Sequence, residues 1–339
     1  MPPIAITAAN QPTPERPLGL NLDGTVLKTF LNSLNFDIEK EAIPRNLELE
    51  AAMQRVFEAE NLPPKSLAQV LQMLPFTCAA SEMSYYTHPF AIKVFIATYI
   101  TLLLYLDDLC EKDPAAMVPE LTRVVATVGS GGGEEHQYHP SIRHFLRLVR
   151  EDAPKHYGPL STGVIVKSTI DYFVGCLIES QYPKGVKCPA SAGRFPRYLR
   201  LKSGNSEAFA HMIFPEERFP ERKFLETYLP TIPDIVELTY MINDCLSMYK
   251  ESIVGTEENT YFMSMGKVHR CDPVDVLVRT GVDQAGLARD VSATLDGKEE
   301  LKEAFETYLS GYIMYHCTQK RYRLAELGIS MEPSRSPQA

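Results

Sequence analysis

An all-α fold is the class this sequence predicts, and three observations carry it. Apolar residues recur at helical spacing along most of the 339-residue chain. Alternating strand-like runs joined by Asn-Gly or Asp-Gly turns are nearly absent. Proline and glycine clusters punctuate the chain between the periodic segments. The chain is long enough to bury most of its apolar surface without staples. Its length would allow two domains, but one large helical domain over residues 21–328 is the expectation.

Residues 1–20 carry Pro2, Pro3, Pro12, Pro14 and Pro17 and lack the basic start and apolar core of a signal peptide. They read as a flexible tail. Helices are expected at 45–59 and 65–82, parted by Pro63-Pro64, and at 88–110, whose stretch Phe95 to Leu106 is apolar over more than one stripe. That breadth suits an inner helix of a bundle or the wall of an apolar cavity. Pro114 opens the helix at 115–128, and Gly131-Gly132-Gly133 makes a linker. The helix at 140–153 stops at Pro154, and 159–181 runs to the break at Pro183 to Pro189. Segment 194–213 ends at Pro215, and Pro220 precedes 221–252. Helices at 273–296 and 298–327 finish the domain, and 329–339 reads as a second flexible tail.

Several function classes fall away. The net charge is −9 with no long basic run, which argues against nucleic acid as a partner. The longest largely apolar stretch, Val94 to Leu106, falls short of the ~20 residues that span a bilayer, so no membrane insertion is expected. Seven cysteines, an odd number with no C-x-x-C pair, fit reduced thiols in a cytoplasmic protein. The triple glycine leads into Glu134-Glu135 rather than Lys-Ser or Lys-Thr, so it is no phosphate loop. The eight histidines form no His-Glu-x-x-His pattern, and the serines suggest no triad.

Two acidic clusters remain. In Leu104-Tyr105-Leu106-Asp107-Asp108-Leu109-Cys110-Glu111, carboxylates follow a strongly apolar run. Asp107 and Glu111, four apart, share one helix face and repel mildly unless a cation sits between them. A solvated helix end is the alternative reading. In Asn243-Asp244-Cys245-Leu246-Ser247-Met248-Tyr249-Lys250-Glu251, the residues Asn243, Ser247 and Glu251 recur every four positions. Each step drifts only about 40° around a helix, so three oxygen donors line one face, with Lys250 close by. Amide, hydroxyl and carboxylate are hard ligands suited to Mg²⁺, which takes the rest of its shell from water and substrate phosphates. A polar stripe on a surface helix is the bland alternative. The apolar stretch Ile232 to Ile242 upstream places the stripe beside something buried.

Taken together, the clusters would grip a multi-metal diphosphate site from opposite walls. Such a site needs further cations, and Arg200, Arg321 and the neighbouring Tyr322 are candidates, since arginine offers planar donors to phosphate oxygens. Each arginine taken singly would pass for a surface charge.

At these residues the sequence resembles the class I terpene synthases and, within them, the fungal trichodiene synthase group. Ser168 to Cys176, Phe195-Pro196-Arg197-Tyr198-Leu199-Arg200, Asn243 to Glu251, Gly311-Tyr312 and Arg321-Tyr322-Arg323-Leu324 carry the likeness over residues 107–327. The resemblance implies an all-α isoprenoid synthase bundle around a central apolar cavity. It implies that Asp107 bridges two Mg²⁺ ions, that Asn243, Ser247 and Glu251 bind a third, and that Mn²⁺ can substitute. It assigns diphosphate sensing to Arg200, a helix break facing the substrate to Gly204, and diphosphate donation to Lys250, Arg321 and Tyr322. The sequence departs from the group where Glu111 replaces an aspartate, where Gln319-Lys320 precede Arg321, and where Tyr315 stands for an aromatic. Glu111 is therefore either a metal ligand or a partner of one.

The expected activity is a lyase reaction: farnesyl diphosphate ionises, diphosphate leaves and the farnesyl cation cyclises to a sesquiterpene. Leu103, Leu104, Phe76, Tyr172 and Tyr315 are the candidate wall of a dry cavity. Diterpene cyclisation and chain-lengthening prenyl transfer are alternatives on the same fold, the latter disfavoured because a second Asp-rich motif is missing. A non-catalytic helical interaction protein is the remaining class, and a homodimer is one assembly the reading allows.

Overall fold

The computed structural model describes residues 22–40, 42–127 and 138–331. Most of both expected tails and the Gly131-Gly132-Gly133 linker lie outside these residues. Within them the chain forms α1 (Gly24–Ser33), α2 (Leu47–Glu58), α3 (Pro64–Ser84), α4 (Phe90–Lys112), α5 (Pro114–Thr127), α6 (Pro140–Arg147) and α7 (Pro159–Gln181). It continues with α8 (Phe195–Ser203), α9 (Ser206–Met212), α10 (Glu221–Tyr228), α11 (Ile232–Met248), α12 (Tyr261–His269), α13 (Pro273–Thr294) and α14 (Glu299–Thr318). No extended strand occurs among the described residues, so the all-α expectation holds.

The apolar runs become the centre of the bundle. α3 packs on α4 and α14, α7 packs on α8 and α9, and α11 packs on α9 and α13. Where α14 crosses α3, Gly311 lets the backbones touch: a Cβ there would sit 1.8 Å from the Met83 carbonyl oxygen. Any side chain at this position would push the two helices apart. The apolar reach of α4 and α7 exceeds the stretch read from sequence. Both contain an 18-residue window apolar enough to cross a membrane, of which 61% and 44% respectively is buried within the bundle. The apolar window of α4 goes mostly into the core, and that of α7 somewhat less than half.

Several elements differ from expectation, among them α12, which forms where no helix was expected. α1 is an added helix, capped by Asp23, whose Oδ1 accepts from the amides of Thr25 and Val26 at 2.9 and 3.1 Å. The run expected at 194–213 splits into α8 and α9. The run expected at 221–252 becomes α10, a tight turn at Leu229–Thr231, α11, and a π-helical turn at Tyr249–Val254. The last long helix stops at Thr318, and short 3₁₀ turns carry Lys320–Tyr322 and Leu324–Leu327. Arg321 and Tyr322 therefore lie just past a helix end rather than on it.

Candidate active site

The site residues collect where helices end. Asp107 lies in the last turns of α4, Glu179 in the last turn of α7, Arg200 in that of α8, Asn243 to Ser247 in those of α11, and His316 in that of α14. Helix C-termini carry partial negative charge that acts over the final turn. A mouth built this way attracts cations before any side chain is counted.

On the α4 side, Asp107 is solvent-exposed. Its carboxyl is nevertheless pushed up to about 7, first by the protein atoms around it and then by the charges of Glu179, Asp108 and Glu111, with Arg200 pulling the other way. Asp108 turns aside to pair with Lys112 at 2.5 Å on the exposed flank. Glu111 is exposed, and its charge bears on Asp107, as their four-residue spacing requires.

On the α11 side, the polar stripe survives the change from α to π geometry. The Ser247 hydroxyl donates to Glu251 Oε2 at 3.0 Å, and Lys250 Nζ lies 3.1 Å from Glu251 Oε1. The π turn places Lys250 and Glu251 at its start, and such single turns recur at functional positions. Asn243 offers its oxygen to Arg200 Nη2 at 2.9 Å, and its amide nitrogen lies 3.1 Å from His316 Nε2.

The two clusters share one mouth. Glu257 is held above the usual carboxylate range by burial, then by Glu251, and further by Glu111 and Asp107, while Lys250 opposes the shift. One carboxylate thus feels both walls. Glu179, also raised by burial, is tempered by the Arg200 charge and by a hydrogen bond from Ser203.

Arg200 spans the gap between the walls. Its Nε lies 2.8 and 2.9 Å from the two oxygens of Asp244. Burial works against its charge, and Asp244 more than restores it. Asp244 itself is pushed up to about 6, because burial outweighs the guanidinium beside it. Gly204 ends α8, and its lack of a side chain clears space: a Cβ would come within 2.7 Å of the Arg200 carbonyl oxygen and 2.9 Å of Nη1. The left-handed residue at the break is the next one, Asn205, with φ 50°. Its buried side chain donates to Tyr99 Oη at 2.7 Å and accepts from Ser168 Oγ at 2.6 Å, which clamps the break to α4 and α7. Arg197, one turn earlier, is exposed and pairs with Glu237.

Past α14, the Arg321 guanidinium sits 5.0 Å from the ring centre of Phe76 and 5.6 Å from that of Tyr322. Its charge also feels Glu251, which ties it to the same mouth. Tyr322 and Tyr315 are buried edge to face at 5.8 Å. Tyr172 is buried too, and its hydroxyl donates to the Leu103 carbonyl at 2.7 Å. Leu103 and Leu104 are half-buried against the core, as is Phe76 beneath Arg321. A groove of about 540 Å³ between α1, α13 and α14 holds none of these residues.

The donor set fits Mg²⁺ in kind: amide, hydroxyl and carboxylate oxygens, with like-charge crowding at Asp107 and Glu257 that Arg200 and Lys250 only partly offset. Among the described residues no three Asp, Glu, His or Cys side chains form a ready-made cage. Sequence reading missed Asp244, Glu179, Glu257 and His316. Asp244 adjoins Asn243, and Glu179 lies two turns after Tyr172 on the same face of α7. Nothing in the linear order marks His316 or Glu257.

The chain is similar in sequence and fold to known proteins. The family model described as trichodiene synthase (TRI5) matches residues 52–336. An (E)-beta farnesene synthase of Metarhizium brunneum is 27% identical over 307 residues, 90% of this chain and 89% of that protein. A trichodiene synthase of Fusarium sporotrichioides is 25% identical over 234 residues, 68% of this chain and 59% of that protein. Among solved structures, a linalool/nerolidol synthase from Streptomyces clavuligerus in complex with 2-fluorogeranyl diphosphate superposes with a TM-score of 0.58 at 14% identity, covering 81% of this chain and 98% of that one.

Proposed function

Since the chain belongs to the trichodiene synthase family, we propose that it is a Mg²⁺-dependent class I sesquiterpene synthase that ionises farnesyl diphosphate, releases diphosphate and cyclises the farnesyl cation. The observation that carries this reading is the position of Arg200, bonded to Asn243 and Asp244 on the α11 side while its charge acts on Asp107 on the α4 side.

Asn243, Ser247 and Glu251 would hold metal on one wall and Asp107 on the other, with Glu111 as a further carboxylate beside Asp107. The expected complement is three Mg²⁺ ions, with Mn²⁺ able to substitute. Magnesium would act as a Lewis acid on the departing diphosphate. Arg200, Lys250, Arg321 and Tyr322 supply hydrogen bonds and positive charge where negative charge develops. Arg200 and Lys250 are first engaged by Asp244, Asn243 and Glu251. Binding of the anion would therefore exchange these partners for diphosphate oxygens.

The hydrocarbon then needs surroundings without free nucleophiles. Tyr172 contributes a buried ring whose hydroxyl is turned to the Leu103 carbonyl. Phe76, Leu103, Leu104 and Tyr315 complete the proposed wall, and aromatic faces stabilise a passing cation. Seven free cysteines support a reducing, cytoplasmic setting.

Incubation with C10, C15 and C20 diphosphates, with and without Mg²⁺, tests the proposal by gas chromatography and mass spectrometry. A C15 cyclic product that requires metal is expected. Full activity in excess chelator would overturn the metal assignment, and no diphosphate release from any substrate would overturn the activity.

A further inference from the structure

We propose that His316 is a positioning residue: it fixes which way Asn243 turns its amide and so presents the Asn243 oxygen to the mouth. This rests on the reading of Asn243 as a metal ligand given above.

The assignment follows from which atoms can donate. His316 is wholly buried on α14. Its Nδ1 lies 2.7 Å from the Tyr312 carbonyl oxygen, which only accepts, so Nδ1 carries the ring proton. Nε2 is then an acceptor, and the Asn243 atom 3.1 Å away must be the NH₂ group. The opposite side of the amide gives the same answer independently. Arg200 Nη2 can only donate, so the Asn243 atom 2.9 Å from it must be Oδ1. Donor and acceptor alternate without conflict from the Tyr312 carbonyl through His316 and Asn243 to Arg200 and Asp244.

The two supports differ in permanence. Under the proposed reaction Arg200 leaves for diphosphate, and His316 alone then holds the amide. Its ring is boxed in by Tyr312 at 4.7 Å, Tyr315 at 5.2 Å and Tyr322 at 4.5 Å between centroids. A flipped amide would set Oδ1 against the unprotonated Nε2, two acceptors facing each other in a buried site. Groups that orient metal ligands in this way change affinity by about 10- to 100-fold when removed.

The test reads metal binding apart from turnover. Thermal stabilisation is titrated with Mg²⁺ in the presence of inorganic diphosphate, for wild type, His316→Leu and His316→Gln. Leucine removes the acceptor, and half-saturating Mg²⁺ should rise about 10- to 100-fold, with kcat largely recovered at saturating metal. Glutamine offers a carbonyl oxygen in place of Nε2 and should return half-saturation close to wild type. Equal half-saturation in the leucine variant and wild type overturns the role of His316. Absence of any Mg²⁺ and diphosphate response in wild type overturns the site reading instead. Imidazole ¹⁵N shifts of the wild-type protein, assigned by difference with His316→Gln, decide the matter even if the leucine variant fails to fold. The Nδ1–H form is expected, and an Nε2–H form rules the proposal out.

Discussion

Arg200 and Asp244 form a fork in which one guanidinium nitrogen, Nε, faces both carboxylate oxygens at 2.8 and 2.9 Å. The residue expected to serve the ligand therefore already has a partner in the protein before the ligand arrives. Removing one member of a buried pair leaves the other uncompensated, and that penalty exceeds the worth of the pair itself.

Arg200→Lys is predicted to do two things. Turnover should fall by roughly 10²–10³, the cost of one preorganised donor. Stability of the ligand-free protein should also fall, by about 1–3 kcal/mol, because lysine keeps the charge and loses the planar fork on Asp244. The Asp244 contact is the reason the fold is not indifferent to this change. Arg197→Lys is the control: its pair with Glu237 is exposed, so a change within ~1 kcal/mol and normal turnover are expected. Steady-state kinetics and urea unfolding of both variants check the contrast, and the reverse pattern would put the helix register in error.

Asn205 is predicted to matter twice, through its backbone and through its side chain. Asn205→Gly keeps the left-handed conformation but removes one bond from Tyr99, which keeps Thr169, and one from Ser168, which keeps the Ala208 amide, at about 0.5–1.5 kcal/mol per bond. Asn205→Ala loses the same bonds and adds about 1–2 kcal/mol for a side chain at φ 50°. Denaturant unfolding should rank alanine below glycine. Equal stabilities for the two variants would show that the backbone term is idle.

Asp107 sets a pH dependence whose sign can be worked out. Its folded carboxyl titrates near 7 against an ordinary value of 3.8, so between those limits the folded state holds more protons than the unfolded one. Stability contributed by this group therefore falls as pH rises from about 4 to about 7 and levels off above. Buried His88, His144, His211 and His316, each lowered to about 4 by burial, run the opposite way and are common to both proteins compared. In chelator, Asp107→Asn should thus gain on wild type between pH 5 and pH 7.5. A flat difference across that range would remove the crowded-carboxylate description of the mouth.

How far these features were legible depends on the range over which they are encoded. α4, α7 and α14 announce themselves by long apolar runs, and the Asn243–Ser247–Glu251 stripe by its spacing. The break after α8 was anticipated at Gly204, but the left-handed residue is Asn205, because tertiary bonds to Tyr99 and Ser168 hold it there. The π turn at Tyr249–Val254 has no local signature, since its residues would suit an ordinary helix. Asp23 at the start of α1 was a readable cap that went unread. His316 lies 73 residues from Asn243, and Glu179 meets Asp107 only through packing of α7 against α4. Spacing within one helix cannot report such meetings.

The aromatic box around His316 also gives the protein an optical handle. The chain has 17 tyrosines and no tryptophan, so its native ultraviolet emission is tyrosine emission. Tyr312, Tyr315 and Tyr322 put part of that signal beside Arg321 and Asn243, where ligands are expected to arrive. Loading of the mouth can therefore be followed in unlabelled protein by near-ultraviolet dichroism. A single tryptophan placed at exposed Tyr198 would report on α8 alone, against a dark background.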